Sequence, residues 1–461
     1  MLYLYNSFTK QKEKFKSISK SKVKIYVCGM TVYDYCHIGH ARVLIVFDMI
    51  VNWFRKIGYQ VTYVRNITDI DDKIIKKSLF EKISITQLTD KYISSMHLDS
   101  HKLLLTPPDF EPKATENIHE MITIISDLIK KNIAYTSDDG DVFFSVEKFN
   151  DYGKLSGKTL ESLMIGKRVE KNIGKKNFND FVLWKRRKTN EPYWEAPFGD
   201  GRPGWHIECS AMSMKYLGAN FDIHGGGLDL QFPHHENEIA QSESFSQHKF
   251  ANYWMHNGFV QIGNEKMSKS IGNTILIKDL LKSFHPEVIK YFMIKTHYRS
   301  PITFTINQLS KSKIGLDKLY FCFRKFNYDF SQKLNTENNS YTEKFYSAMN
   351  DDFNSPLAIS VLHEIVGEIF RTKNMKLLNT LYTLSRGLGL LKTIPESYFK
   401  WLPEKFRFSQ KEIENLIEKR LTHKKKREFQ EADKVRALLS EEGIILEDAK
   451  SDSTFWRYDL S

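Results

Sequence analysis

The order of apolar and polar positions near the start of the chain predicts alternating strands and helices. Residues 23–28 form a short apolar run rich in β-branched side chains, a turn containing Gly29 follows, and residues 41–57 have apolar positions at helical spacing. Residues 61–67 have the pattern of a second strand, and the carboxylates within 69–72 are placed to cap a following helix. This order is typical of one half of a parallel, doubly wound α/β nucleotide-binding sheet.

The middle of the chain interrupts this pattern. An amphipathic helix is predicted over 114–132, and residues 134–203 then contain short strand candidates at 141–146 and 181–185, many Gly and Lys, and little helical period. Apolar α/β patterning resumes at Trp205 and includes a strand at 221–224. We therefore predict a Rossmann-like parallel sheet that is split in sequence by an insertion.

The second half of the chain is mostly helical. Apolar positions at 288–294, 309–326 and 345–391 have helical spacing, the polar stretch 327–342 is the best candidate for a linker, and Pro395 is expected to end the helical region. Beyond Lys400 a small, charge-dense module has helices near 410–421 and 432–441 and a hairpin through 444–446 and 455–457. The fold class is thus multidomain α/β, with a split catalytic domain, a helical bundle and a C-terminal α/β module. The predicted division is 1–112 (catalytic, first half), 113–203 (insertion), 204–258 (catalytic, second half), 259–308 (region of the lysine loop), 309–398 (helical bundle) and 399–461 (C-terminal module).

Composition narrows the class of protein. With 461 residues, 41% of them hydrophobic, the chain is long enough for several cores. The longest apolar stretch, 41–54, contains Asp48 and Asn52 and is shorter than the roughly 20 residues that a membrane span needs, and no signal peptide is visible, so we expect a cytoplasmic protein. Four cysteines do not make a disulfide framework. The net charge of +12 favours a polyanionic partner, although a compositional bias toward Lys, Ile and Asn accounts for it equally well.

Two short strings carry the candidate nucleotide chemistry. His37, Ile38, Gly39 and His40 precede the first helix, where backbone N–H groups and the helix dipole favour anions and imidazoles can donate to phosphate oxygens. Lys266, Met267, Ser268, Lys269 and Ser270 put two cations on a loop that could close over a phosphoryl centre as pyrophosphate leaves. Alone, each string could be a capped helix or a solvated surface loop. Together they resemble the ATP-activating site of the class I aminoacyl-tRNA synthetases, and this resemblance implies His37, His40, Lys266 and Lys269 as catalytic residues.

Two further strings leave alternatives open. Gly225, Gly226 and Gly227 follow a predicted strand and precede Asp229, so they either let the backbone approach an adenosine or form a plain tight turn. Pro233 is expected to start a helix. On that helix, Glu238 would share a face with either His234 or His235, so that one of the two pairs could supply metal ligands in place of surface ion pairs.

Several motifs occur together and in order, and on them the chain resembles the bacterial cysteinyl-tRNA synthetases. Besides the two strings above, they are the Cys-Gly-Met-Thr-Val-Tyr-Asp string from Cys28, the Asn-Ile-Thr-Asp-Ile-Asp-Asp-Lys string from Asn66, the Gly-Trp-His-Ile-Glu-Cys-Ser string from Gly204, and the Phe-Pro-His-His-Glu-Asn-Glu string from Phe232. The resemblance covers essentially the full length of the chain. It implies a class I synthetase that activates cysteine with ATP and charges tRNA(Cys).

The resemblance also implies the roles of individual residues. One zinc ion per chain would be held by Cys28, Cys209, His234 and Glu238, with the two cysteines expected at separate strand ends. Thr68, Trp205 and His224, with Cys28, would form the cysteine pocket. Mg-ATP, a substrate, would be bound by His37, Gly39, His40, Gly227, Asp229 and Lys269. A zinc-bound substrate thiol loses its proton, which serine does not reproduce, so the insertion need not be an editing domain.

The C-terminal module has the residue types that suit anticodon reading. Arg427 and Arg436 supply cations for phosphates, Phe429 and Trp456 supply aromatic rings for unstacked bases, and Asp433 supplies a carboxylate for a base edge. The expected partners are tRNA(Cys), L-cysteine and ATP, with no membrane, and the chain is expected to be a monomer. The alternative is a ligase of the mycothiol pathway that joins cysteine to an amino sugar, which the module beyond Lys400 argues against. A non-catalytic RNA-binding paralogue would be expected to have lost the histidine string or the lysine loop.

Overall fold

The fold is that of a computed structural model, which describes residues 1–158, 174–263, 265–266, 274–331, 338–448 and 454–459. We number its elements in chain order. The helices are α1 Ile38–Lys56, α2 Asp72–Glu81, α3 Ile85–Lys102, α4 Ile118–Lys130, α5 Trp205–Leu217, α6 Glu236–Ser246, α7 Ile277–Ser283, α8 Pro286–Ile294, α9 Ile306–Lys325, α10 Ser340–Asn350, α11 Ser355–Thr372, α12 Lys376–Gly387, α13 Pro395–Phe399, α14 Gln410–Lys425 and α15 Phe429–Glu441. The strands are β1 Tyr3–Asn6, β2 Gln11–Lys14, β3 Lys22–Val27, β4 Gln60–Arg65, β5 Ala134–Thr136, β6 Val142–Phe144, β7 Phe181–Arg186, β8 Gly201–Pro203, β9 Phe221–Gly227, β10 Ala251–Asn257, β11 Val260–Ile262, β12 Glu265–Lys266, β13 Ile302–Phe304, β14 Ile444–Asp448 and β15 Thr454–Tyr458. None of the helices in these described ranges is both long and apolar enough to cross a bilayer.

A four-stranded parallel sheet forms the centre of the catalytic region. Its strand order is β10-β9-β3-β4, so the two middle strands come from opposite sides of the insertion. Tyr26 of β3 lies opposite His224 of β9 on one side and Val64 of β4 on the other. Middle strands of a parallel sheet are covered on both faces, which accounts for the complete burial of β9. The predicted split sheet is confirmed.

The three glycines at the end of β9 belong to the strand and do not form a turn. An added Cβ at Gly225 would lie 2.3 Å from the ring of Phe47, which packs on the sheet from α1. The absence of a side chain therefore lets α1 approach the sheet closely. The turn alternative for these glycines was wrong, because strand pairing with β10 continues through Gly227.

The insertion folds as an antiparallel sheet with strand order β5-β6-β7-β8, and its two predicted strands are confirmed. Glu236 at the start of α6 joins it to the catalytic domain, since its carboxylate accepts from the backbone N–H groups of Gly153, Leu155 and Ser156 at 3.0, 3.3 and 2.8 Å. Tyr152 also donates to Asn237 at 2.5 Å. The insertion is thus held directly against the segment that carries His234 and Glu238.

Helices α9 to α12 form the helical region, and the C-terminal module has a separate core. That core includes Ile413 of α14, Leu439 of α15 and Trp456 of β15, and the β14–β15 hairpin pairs as predicted. One sequence expectation differs from the structure, and one element of the structure was not expected. Pro395 begins α13 instead of ending a helix, because proline is favoured in the first turn. The β1–β2 hairpin was not predicted, because β2 is a mostly exposed polar segment.

A buried carboxylate holds the connection between the helical region and the C-terminal module. Glu287 of α8 is fully buried and accepts from the backbone N–H groups of Leu391, Lys392 and Thr393 at 2.6, 2.9 and 3.1 Å. The hydroxyl groups of Thr393 and Tyr320 also donate to it, both at 2.8 Å. One side chain therefore accepts from five donors, of which the Leu391 N–H and the Tyr320 hydroxyl are buried.

We expect Glu287→Ala to lower the free energy of unfolding by about 3–5 kcal/mol, because it leaves a set of buried donors without an acceptor. Glu287→Gln retains one acceptor oxygen and should lose less. Denaturant unfolding followed by tryptophan fluorescence measures both. Equal stability of Glu287→Ala and the unsubstituted protein would contradict this account of the connection.

Candidate active site and metal centre

A cleft of about 310 Å³ lies at the carboxyl ends of the central strands. Its walls come from the segment after β3, the first turn of α1, the segment after β9 and the segment after β10, which contribute Gly29, His40, Asp229 and Gly258 among others. Carboxyl ends of parallel strands meet at one edge of a sheet, and that edge is where open α/β sheets bind ligands. The cleft is therefore the candidate active site.

His37 and His40 cap α1 and line the cleft. The backbone N–H of His40 donates to Nδ1 of His37 at 3.3 Å, and the backbone N–H of His37 donates to Nδ1 of His40 at 3.2 Å. The two rings stack with centroids 3.6 Å apart. The two histidines therefore cap α1 and line the cleft at the same time. The two interpretations of this string, a capped helix and a nucleotide site, do not exclude each other.

Four potential metal donors converge beside this cleft. The Sγ atoms of Cys28 and Cys209 are 3.6 Å apart, and Sγ of Cys28 lies 3.4 Å from Oε1 of Glu238. Nε2 of His234 lies 3.1 Å from the same Oε1. All four donor atoms are within 4.8 Å of one another, and all four residues are buried. This is the set that the resemblance implied.

The local structure around the donors differs from the sequence expectation in one place. Cys28 follows β3, but Cys209 lies on α5 and not at a strand end, since the segment from Trp205 has small and apolar residues that suit a helix after Gly204. The helix predicted to start at Pro233 is confirmed: within Gln231–His235 only Phe232 has an extended conformation, so the backbone is helical from Pro233 and continues into α6.

A second group of histidines surrounds the donors, and all of them are buried except His206, which is half-buried. His224 lies 2.8 Å from Oε2 of Glu238, and Nδ1 of His206 lies 2.9 Å from Nδ1 of His234. His235 is paired with His256 at 2.8 Å. Cys28, His224, His235 and Glu238 form an alternative donor group by distance, but this group has only one thiol.

Burial governs the protonation of these groups. It raises the pKa of the Cys28 thiol well above its usual value, with Cys209 and Glu238 adding to the effect. Burial likewise raises the pKa of Cys209 and lowers the pKa of His234 well below its usual value. A bound cation supplies the positive charge that makes thiolate and carboxylate favourable at such a depth. Two sulfur donors, one imidazole and one carboxylate therefore fit a divalent metal.

The other residues predicted for the cysteine pocket lie in two places, one on the wall of the cleft and two buried in the protein. Trp205 lines the cleft, is 38% exposed and stacks on His234 with ring centroids 4.3 Å apart. Thr68 and His224 are buried, and neither is among the residues that line the cleft. The Thr68 hydroxyl donates to Glu208 at 3.0 Å. Sequence reasoning did not select Glu208, although it stands next to Cys209 in one of the quoted strings.

The structure describes only some of the residues that are predicted to bind ATP. Gly39, Gly227 and Asp229 line the cleft together with the two histidines. Lys266 ends β12, where its backbone pairs with Gln261 of β11. Its side chain and all of Lys269 lie outside the described residues, so their roles stay predictions.

The predicted anticodon residues are placed as follows. Arg427, Phe429, Asp433 and Arg436 are exposed on or beside α15. Trp456 is only 2% exposed and belongs to the core of the C-terminal module, so its ring is not available to stack on a base. That expectation for Trp456 was wrong, because strand alternation places its side chain on the covered face of the hairpin.

Comparison with known proteins defines the class. The family model for the tRNA synthetases class I (C) catalytic domain matches residues 14–314, and the DALR domain model matches residues 344–392. A methionyl-tRNA synthetase of Mycobacterium tuberculosis, solved in complex with methionyl-adenylate, has a TM-score of 0.58 over 80% of this chain and 89% of its own, at 12% identity. At that identity the likeness is one of fold. The fold and the cleft define a class I aminoacyl-tRNA synthetase.

Curated relatives narrow the class to a family. A protein of Nitrosomonas europaea named cysteine–tRNA ligase is 48% identical over 466 residues, covering 99% of this chain and 100% of the relative. A protein of Hydrogenovibrio crunogenus with the same name is 50% identical over 456 residues, covering 99% of each. The chain belongs to the cysteine–tRNA ligase family, and the resemblance found in its motifs is confirmed.

The two possible donor groups differ in which of two adjacent histidines would bind the metal: His234 in one group and His235 in the other. We expect His234→Asn to lose the bound metal and His235→Asn to retain it, because only the group with His234 supplies two thiol donors. Metal content of the two purified variants, measured by inductively coupled plasma mass spectrometry, decides between the groups. Loss from His235→Asn alone would assign the metal to the alternative group.

Proposed function

We propose that the protein is a cysteine–tRNA ligase that converts L-cysteine and ATP to cysteinyl-adenylate and then transfers cysteine to the terminal adenosine of tRNA(Cys). The observation that carries this proposal is the position of Cys28. Cys28 lines the cleft at the carboxyl ends of the central strands and also belongs to the buried group of metal donors. A substrate held at that point would have its thiol beside the metal and its carboxylate toward the histidines of α1.

Zinc is the proposed metal, with Cys28, Cys209, His234 and Glu238 as its ligands. Sulfur donors favour zinc over hard cations such as Mg²⁺. When bound there, zinc would supply a Lewis acid that favours the deprotonated form of the substrate thiol. Serine forms a weaker bond through its hydroxyl and alanine forms none, so discrimination of roughly 10⁴–10⁵ is available without an editing site.

The chain's own residues then have defined tasks. His224 holds Oε2 of Glu238, and Trp205 packs against His234, so both fix ligands in place. His37, Gly39 and His40 would bind ATP at the start of α1, with Gly227 and Asp229 at the adenosine or the substrate amine. Lys266 and Lys269 would contact the phosphates. Attack of the cysteine carboxylate on the α-phosphate needs positioning and charge stabilisation, and no covalent enzyme intermediate.

The C-terminal module would read the anticodon. Its exposed Arg427, Phe429, Asp433 and Arg436 offer two cations, a ring and a carboxylate on one accessible segment. A ligase acting on an amino sugar has no use for such a module, which disfavours the mycothiol-type alternative. The domain division 1–112, 113–203, 204–258, 259–308, 309–398 and 399–461 stays a prediction, as do a monomeric state and a cytoplasmic location.

Cysteine-dependent ATP–pyrophosphate exchange tests the activation step. We expect exchange with cysteine, about 10⁴-fold or more weaker exchange with serine, and loss of cysteine exchange after zinc chelation with recovery on adding zinc. Absence of exchange with cysteine would refute the enzyme assignment. Exchange that survives complete removal of the metal would refute selection through a zinc-bound thiolate.

Charging of tRNA(Cys) separates the two ligase classes. The full chain should attach cysteine to tRNA(Cys) and not to an amino sugar supplied at the same concentration. Product analysis by acid gel and mass spectrometry measures both. Transfer to the sugar alone would favour the alternative.

A further inference from the structure

Helix α2 has a row of three exposed residues on one face. At 3.6 residues per turn, Lys73 and Phe80 are about 20° apart around the helix axis. Lys76 is about 60° from Lys73 and about 40° from Phe80. The buried residues of the helix, Ile74, Ile75 and Ser78, are on the opposite side. We call Lys73, Lys76 and Phe80 the α2 strip.

The ring of Phe80 is the most exposed of the large apolar side chains in the described ranges, at 86%. Single exposed apolar residues are common on protein surfaces and need no explanation. The neighbours of this ring are what make it informative, because two lysines share its face of the helix and both are exposed. A ring beside cations is the arrangement that single-stranded nucleic acids bind, through base stacking and phosphate contacts.

The positive charge of the strip is not neutralised locally. Asp71 caps the helix through the backbone N–H of Lys73, and Asp72 is paired with Lys185 and Arg202, both at 2.5 Å. Glu81 lies 3.7 Å from Lys77 and 3.4 Å from Lys91. Across the parts of the chain that the structure describes, no carboxylate forms an ion pair with Lys73 or Lys76. The acidic groups of this region are therefore committed to other cations.

The strip is continuous with the cleft. Lys73 lines the cleft, while Phe80 lies seven residues further along the helix, about 10 Å away. Residue Thr68, in the segment that leads into α2, is hydrogen-bonded to Glu208 beside the metal donors. The strip thus begins at the site where a tRNA terminus would react and runs outward over the surface.

We propose that the α2 strip binds the single-stranded acceptor end of tRNA, with Lys73 and Lys76 on its phosphates and Phe80 stacked on an unpaired base. The proposal rests on the tRNA-charging function proposed above. The strip would orient the acceptor end on its way into the cleft. Charge favours this occupant, because a partner protein that covered Phe80 would also have to neutralise two lysines.

The test separates the tRNA-dependent step from the activation step in the full-length metal-loaded protein. Phe80→Ala is expected to raise the KM for tRNA(Cys) in aminoacylation by about 5- to 150-fold, the loss of one stacked base, and to leave cysteine-dependent ATP–pyrophosphate exchange within twofold. Phe80→Trp should restore the KM, since any aromatic face stacks. Lys76→Ala should reduce the dependence of log KM on log salt concentration by about 0.7 to 0.9.

Leu79→Ala is the matched control. Leu79 is also strongly exposed, at 61%, but lies about 100° around the helix from Phe80, so its removal should not change the KM for tRNA. An unchanged KM in Phe80→Ala, or an equal rise in Leu79→Ala, would overturn the proposal. So would a change in sedimentation of Phe80→Ala without tRNA, which would assign the ring to a protein contact. Failure of the unsubstituted protein in pyrophosphate exchange would instead refute the proposed function.

Discussion

The parallel pairing of β3 with β9 is the constraint on which the catalytic region depends. The two strands lie on opposite sides of the insertion, yet their registered pairing brings the end of β3 beside the end of β9. Cys28 and the entry to α1 follow one strand, and Asp229 follows the other, which ends at Gly227. The cleft exists because these ends share an edge of the sheet, and any shift in register would separate the nucleotide residues from the thiol of Cys28.

The same edge concentrates groups that are unfavourable to bury. Two thiols, several imidazoles and the Glu238 carboxylate lie together with almost no exposure, and the imidazole of His235 has one nitrogen without a hydrogen-bond partner. A core built only for stability would use apolar residues here. The protein keeps a costly polar cluster and surrounds it with supports, among them His224 on one side and the Glu236 contacts with the insertion on the other. Such support is what holds a ligand set in one geometry.

Sequence periodicity was sufficient for the parts of the fold in which one face is buried. It predicted β3, α1 and β4, as well as the hairpin of the C-terminal module, because their apolar positions recur at fixed spacing. It does not extend to positions without a side chain, as at the glycines of β9, and it does not distinguish a ring that binds a ligand from a ring of the core, as at Trp456. The convergence of Cys28, Cys209, His234 and Glu238 depends on strand pairing between distant segments, which spacing does not encode. Only the resemblance between whole motifs indicated it.

The close packing of Gly225 against Phe47 extends the active site beyond the residues that touch a ligand. Helix α1 carries His37 and His40 at its first turn and rests on the sheet at this glycine, so a side chain added at Gly225 would displace the Phe47 ring, one of the contacts that position the helix. Tolerance to substitution along this chain therefore does not follow distance from the cleft. We therefore expect inactivating substitutions at Gly225, which is buried in the sheet, as well as at the histidines that line the cleft.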